Sequence, residues 1–163
     1  DEVYVPPAQY DNIAYTVDIT SPDSRSFYLN LLSESGPYFD GKRFSIRLQP
    51  TWNVSRQLEM GATYSYDYVN FSEREQLLSN NIVGLKALFM LDTRFSVNAY
   101  IQYNTSENII LTNLRLRYNP KEGNDIYLVI NEGRNSDLSG EDPPLPVYNS
   151  RSILLKYTYT FNF

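Results

Sequence analysis

Glu59 and Asp67 carry the carboxylates that first suggest acid–base chemistry in this sequence. Polar residues recur at every second position between them, so both side chains fall on one face of a predicted strand. Eight residues at ~3.3 Å each separate the two by ~26 Å, whereas the paired carboxylates of glycosidases lie ~5–10 Å apart. The two cannot form a catalytic pair within that strand, although pairing across strands stays open.

A second group of carboxylates, Asp137, Glu141 and Asp142, lies in a polar stretch near the C-terminus. Oxygen ligands of this kind suit Ca²⁺, but the spacing does not match an EF-hand and a solvated acidic loop is favoured. The chain contains no His and no Cys, so the commonest general base and metal ligands are missing. We expect no catalytic site, metal site or cofactor. A net charge of -5 argues against nucleic acid as a partner, because like charges repel.

Apolar side chains at every second position dominate the chain and predict β-strands rather than helices. Residues 1–9 contain Pro6 and Pro7 and are predicted to be an extended lead-in; residues 10–163 form the β domain. The segment 126–130 is apolar on both faces, so its register is ambiguous. The nine predicted strands lie within 13–19, 27–31, 43–49, 58–68, 83–91, 97–103, 114–118, 126–130 and 151–163.

The last strand carries aromatic residues on one face up to the end of the chain, at Tyr157, Tyr159, Phe161 and Phe163. An uncovered apolar face in water invites aggregation, whereas a strand that faces lipid requires such a face. This spacing resembles the C-terminal membrane-insertion signal of bacterial outer-membrane barrels. We therefore predict an all-β fold, an antiparallel transmembrane β-barrel.

The polar residues of the alternating pattern would then face the lumen of the barrel. They could bind or pass a solute, but a charge network that fills a small barrel is favoured. The tyrosines could stack on sugars, although membrane-interface residues are the simpler interpretation. The predicted polar lumen network comprises Arg43, Arg47, Glu59, Asp67, Lys86, Gln102, Arg115, Arg117 and Lys156.

Several stretches resemble the C-terminal barrel of the domain of unknown function 5916 family. They are 36–43, 89–95, 100–104, 114–118, 126–133 and the final strand around 156–159. Members of that family, many from Bacteroidetes, typically join a module similar to family 9 carbohydrate-binding domains to a large C-terminal barrel. The resemblance implies an outer-membrane location and a link to glycan handling, and it carries no catalytic residues onto this chain.

The order of the strands predicts an orientation. With a periplasmic C-terminus, the longer connections 35–42, 70–81, 104–108 and 133–149 would be external, and the shorter connections 20–24, 50–56, 92–94 and 119–124 would be periplasmic. An odd number of strands gives the first and last the same direction, whereas bacterial single-chain barrels close with even numbers. We expect earlier strands, or another envelope protein, to complete the barrel.

The sequence thus predicts a bacterial outer-membrane β-barrel segment that serves as a non-enzymatic anchor or component of an envelope or surface assembly. Its expected partners are outer-membrane lipid and, during insertion, the barrel-assembly machinery. A soluble β-sandwich carbohydrate-binding module, in which the same apolar faces pack sheet on sheet, is an alternative. A pore-forming transporter is a further alternative.

Overall fold

The structure, a computed structural model, describes residues 9–10, 13–140 and 142–160. It contains nine strands and one short 3₁₀ helix, Ser72–Arg74. The strands are β1 (Tyr15–Thr20), β2 (Phe27–Tyr38), β3 (Gly41–Asn53), β4 (Leu58–Phe71), β5 (Gln76–Met90), β6 (Phe95–Asn104), β7 (Ile109–Lys121), β8 (Asn124–Asn135) and β9 (Tyr148–Tyr159). Most of the predicted lead-in, and Phe161 and Phe163 of the predicted insertion signal, lie outside the described residues.

All nine strands form one antiparallel sheet in chain order, in which each strand pairs with its sequence neighbours. The predicted all-β, nine-strand antiparallel fold is therefore confirmed. β1 and β9 form the edges of this open sheet. Within the described ranges no second sheet packs on the first, in contrast to the sandwich alternative. Among the described residues there is no helix that is long and apolar enough to cross a bilayer.

The strands are longer than predicted at one end of the sheet. The predicted loop 35–42 is strand up to Tyr38 and again from Gly41, and the predicted loop 70–81 is interrupted only at 72–75. In these stretches both faces carry polar residues, so the apolar alternation that marks a strand disappears while the backbone pairing continues. The expected difference in connection lengths is therefore reduced to one long loop, 136–147.

We call the end of the sheet that carries connections 39–40, 72–75, 105–108 and 136–147 the loop end, and the opposite end the turn end. The register divides the side chains into two faces, because directly paired residues in an antiparallel sheet share a face. One row crosses β3 to β9 through Trp52, Met60, Ala87, Ala99, Leu114, Ile130 and Ile153. We call the face with this row the apolar face and the opposite one the polar face.

The pairing also settles the ambiguous segment 126–130. Ile126, Leu128 and Ile130 pair with Tyr157, Leu155 and Ile153 and so lie on the apolar face. Tyr127 and Val129 point to the polar face, where Val129 pairs with Leu154. Leu154, an apolar residue among the polar-face side chains of β9, therefore lies opposite the apolar Val129.

Successive strands are staggered in one direction. The row of paired residues that starts at Tyr15 reaches Ser79 in β5 and then passes beyond the last paired residue of β6, Asn104. The row that starts at Tyr157 reaches Phe95 in β6 and leaves the sheet at the turn end. A cumulative stagger of this kind accompanies strands that tilt around a closed barrel.

The described residues contain almost no hydrophobic core. Phe71 is the single fully buried hydrophobic residue among them, at 1% exposure. The Arg74 guanidinium lies 4.1 Å from its ring centre, and Arg74 Nη2 donates to Asp40 Oδ1 at 2.7 Å. A Cβ on Gly41 would lie 2.5 Å from the Asn70 carbonyl oxygen. Only glycine therefore allows the backbone after connection 39–40 to approach the backbone before connection 72–75 this closely. Connections 39–40 and 72–75 are thereby held together.

Candidate functional site

The register places all nine residues of the predicted polar network on the polar face. Glu59 and Asp67 do not meet there. Asp67 pairs with Arg43 at 2.8 Å, and Glu59 pairs with Lys86 at 3.0 Å. Each carboxylate thus has its own cation on a neighbouring strand, an arrangement that stabilises strand pairing and offers no paired acid and base.

The Arg43–Asp67 pair is expected to stabilise the fold only slightly. Its side chains are 40% and 39% exposed, and exposed ion pairs contribute about 0.2–1 kcal/mol. A double-mutant cycle with Arg43→Gln and Asp67→Asn, read from denaturant unfolding, should give a coupling energy in that range. A coupling of several kcal/mol would instead show that the polar face is sealed from water.

Other members of the network make single hydrogen bonds. Arg47 Nε donates to Ser65 Oγ at 3.4 Å, and the Tyr100 hydroxyl donates to Gln102 Oε1 at 2.6 Å. Arg115 and Lys156 line a cavity of about 350 Å³ together with Tyr127, Val129 and Leu154. This part of the polar face therefore combines cationic and apolar groups.

The sequence prediction missed one member of the network, Asp125. Its carboxylate accepts a hydrogen bond from Arg117 Nε at 2.9 Å and another from Asn119 Nδ2 at 3.1 Å. These residues flank the tight connection between β7 and β8. Pairing the two strands across that turn would have predicted from the sequence that Arg117 and Asp125 lie close together. The Arg117–Asp125 pair closes the turn end of this hairpin.

The apolar face is exposed across the sheet. Leu85 is 58% exposed, Trp52 53% and Ile153 67%. Monomeric proteins in water rarely expose contiguous apolar patches beyond a few hundred Å². Since the apolar side chains extend over nine strands with no covering layer in the described residues, this face is suited to contact an apolar medium or partner.

Aromatic residues on the apolar face concentrate toward the ends of the strands. Tyr66 and Tyr68 lie at the loop end with ring centres 6.3 Å apart, and Tyr157 and Tyr159 lie at the turn end with ring centres 6.4 Å apart. The row through Met60 and Ala99 between them is largely aliphatic. This distribution is typical of side chains at the two interfaces of a bilayer.

Charged side chains on the apolar face also lie near the strand ends. Lys121 lies at the turn end, beyond a register shift in β7. Lys42, Glu132, Arg134 and Arg151 lie at the loop end. The sequence prediction did not identify these residues. The position of Arg151 beside Glu132 and Arg134 depends on pairing across the long loop 136–147.

The acidic loop shows local contacts. Asp137 Oδ1 accepts a hydrogen bond from the Ser139 backbone N–H at 3.1 Å. No group of three or more His, Cys, Asp or Glu residues is placed to hold a metal ion in the part of the chain that the structure describes. Glu141, one of the three loop carboxylates, lies outside that part.

Comparison with known proteins adds no assignment: no family model matches the chain, and no curated protein matches it either. The resemblance to the domain of unknown function 5916 family thus stays a prediction. The functional interpretation depends on the two faces and the two ends of the sheet.

Proposed function

We propose that this chain is the membrane-spanning segment of a bacterial outer-membrane β-barrel and acts as a non-enzymatic anchor or component of an envelope or surface assembly. The observation that carries the proposal is the exposed apolar face that continues across all nine strands. Lipid covers such a face at no desolvation penalty, whereas in water each Å² of it costs roughly 25 cal/mol.

The lengths of the strands support this assignment. A transmembrane β-strand needs ~9–11 residues, and β2 to β9 have between 10 and 15 residues. β1, with 6 residues, is shorter than that minimum. The extra residues of the longest strands, β4 and β5, include polar side chains on both faces, with Asn70 and Ser79 on the apolar face and Gln76 and Asn80 on the polar face. Polar side chains on both faces are expected for segments that extend beyond the hydrocarbon layer.

The stagger and the free edges support a closed barrel that includes further strands. β1 and β9 run in the same direction because they are the first and last of nine consecutive antiparallel strands. Closure with antiparallel pairing throughout requires an odd number of additional strands between them. We propose that another part of a longer protein, or another envelope protein, supplies these strands, as a member of the domain of unknown function 5916 family would.

In this proposal the loop end faces outward and the turn end faces the periplasm. Connection 136–147, the longest among the described residues, lies at the loop end, and external loops of such barrels are the longer ones. The C-terminal end of β9 lies at the turn end, so the aromatic residues Tyr157 and Tyr159 would meet the periplasmic interface, where the assembly machinery reads the insertion signal.

Trp52 provides the test, because it is the single tryptophan of the chain and lies on the apolar face at the turn end. In bilayers, lipids brominated near the headgroup should quench its fluorescence strongly, and lipids brominated deep in the acyl chain should quench it less. The matched control is Trp52→Phe combined with Tyr28→Trp. Tyr28 pairs with Thr51 on the polar face, so neither brominated lipid should quench the fluorescence of a tryptophan at this position.

Equal quenching of the two proteins, or none of the native protein, would contradict the proposed lipid contact. Extraction into buffer without detergent would point to the sandwich alternative. The pore alternative predicts conductance in planar bilayers. The ion pairs that occupy the polar face favour a filled interior, so we expect no conductance in that assay.

A further inference from the structure

The loop end of the apolar face carries a compact cationic cluster. It consists of Glu132 and Arg134 of β8 and Tyr148 and Arg151 of β9. Arg151 Nε donates to Glu132 Oε2 at 2.7 Å, and Arg134 Nε donates to the other oxygen of the same carboxylate. Two guanidinium groups thus share one carboxylate, which leaves the cluster with a net positive charge.

Tyr148 completes this cluster through a local irregularity of the sheet. The register between β8 and β9 shifts at Gly133 and Arg134, so that Tyr148 pairs directly with Arg134. A bulge of this kind re-aims a side chain toward the opposite face. The guanidinium carbons of Arg134 and Arg151 lie 5.1 Å and 4.5 Å from the Tyr148 ring centre, which is within the range of cation–π contact.

The two guanidinium groups remain open to a further ligand. Arg134 and Arg151 are 49% and 50% exposed, whereas Glu132 is only 14% exposed. The contacts with Glu132 use the Nε of Arg134 and the Nε and one terminal nitrogen of Arg151. These contacts do not use the other terminal N–H groups of the two planar forks, and such forks match phosphate oxygens.

The position of the cluster on the sheet indicates where the phosphate comes from. Glu132 and Arg151 are paired, and the next pair on the same face toward the turn end is Ile130 and Ile153. Ile153 is 67% exposed. An acyl chain against these two isoleucines would therefore bring its headgroup to the level of the arginines. A dissolved anion would gain nothing from this adjacent apolar surface.

We propose that Arg134 and Arg151 bind the phosphate of a lipid headgroup in the leaflet that surrounds the loop end, with Tyr148 holding the guanidinium groups in place. This inference depends on the proposed membrane location and adds a specific lipid contact to it. The ligand class is a phosphorylated lipid. Lys42 also lies on the apolar face at the loop end and adds positive charge to that end of the sheet.

The test uses the full-length protein in nanodiscs of phosphatidylcholine with added lipid A, and native mass spectrometry counts retained lipid A. Arg134→Gln with Arg151→Gln should weaken binding about tenfold for each arginine, the effect of losing one charge-assisted contact. The matched control is Arg47→Gln with Arg115→Gln, which removes the same charge from the polar face and should bind as the native protein does.

Glu132→Gln gives an effect of the opposite sign. It removes the carboxylate that competes for both guanidinium groups, so lipid A should bind more tightly, a gain that misfolding cannot produce. Unchanged binding in the double arginine variant, or an equal loss in the control pair, would overturn the proposal. Displacement of lipid A by inorganic phosphate at equal concentration would also overturn it, since the site would then select free anions. Trp52 quenching by lipid reports separately on the membrane location.

Discussion

Leu85→Arg is expected, on the proposed membrane location, to destabilise the protein in lipid by about 2–4 kcal/mol, the range for arginine near the midplane on the lipid-facing side of a barrel. Leu85 lies in the middle of the apolar stretch of β5 and pairs with Ala62 and Ile101 on the apolar face. Equilibrium unfolding in urea, with the protein folded in lipid vesicles, measures this free energy.

The size of that effect separates a lipid environment from an aqueous one. Leu85 is 58% exposed, so the same substitution on a surface in water should change stability by less than about 0.5 kcal/mol. Gln49→Arg is the matched control, because Gln49 is exposed and pairs with Asn30 on the polar face. We expect the control to remain close to the native protein. A small effect at Leu85, or equal effects at both positions, would rule out lipid on the apolar face.

Phe71→Ala should destabilise the fold by about 3–5 kcal/mol, the range for removing a buried phenylalanine ring. The ring is 1% exposed and lies beneath the Arg74 guanidinium. Its loss would also release the contact between connections 39–40 and 72–75, which the Arg74–Asp40 pair completes. Unfolding in urea measures the change, and faster proteolysis at these two connections should accompany it.

The control for this substitution is Phe27→Ala. Phe27 is 57% exposed on the apolar face at the turn end, so its removal creates no cavity and should cost much less. Equal losses at Phe27 and Phe71 would mean that the buried ring is not a specific contact between the loops. A loss at Phe71 without altered proteolysis would place the stabilisation in the strands and not in the loops.

The sheet could be predicted from the sequence wherever one face is apolar and the other polar. In β4 the alternation of Tyr64, Tyr66 and Tyr68 with Ser65 and Asp67 determines both the strand and its two faces. The nine residues assigned to the polar network share one face for the same reason. Alternation with period two is a local property, so it needs no knowledge of distant contacts.

The parts that could not be predicted depend on pairing between strands. The pattern in β2 fades from Ser33 onward because both faces become polar, although the pairing with β3 continues to Tyr38. The cluster of Arg134 and Arg151 depends on the register across the long loop 136–147 and on one register shift. Neither feature leaves a periodic signal in the sequence.

The strictly sequential pairing of this sheet has a consequence for folding kinetics. Among the described residues every strand pairs only with its immediate sequence neighbours, so each step of growth closes a short loop and loses little chain entropy. The sheet can therefore assemble one hairpin at a time from either edge. In a complete barrel, joining the first strand to the last is the one non-local event, and that seam should set the rate of the overall reaction.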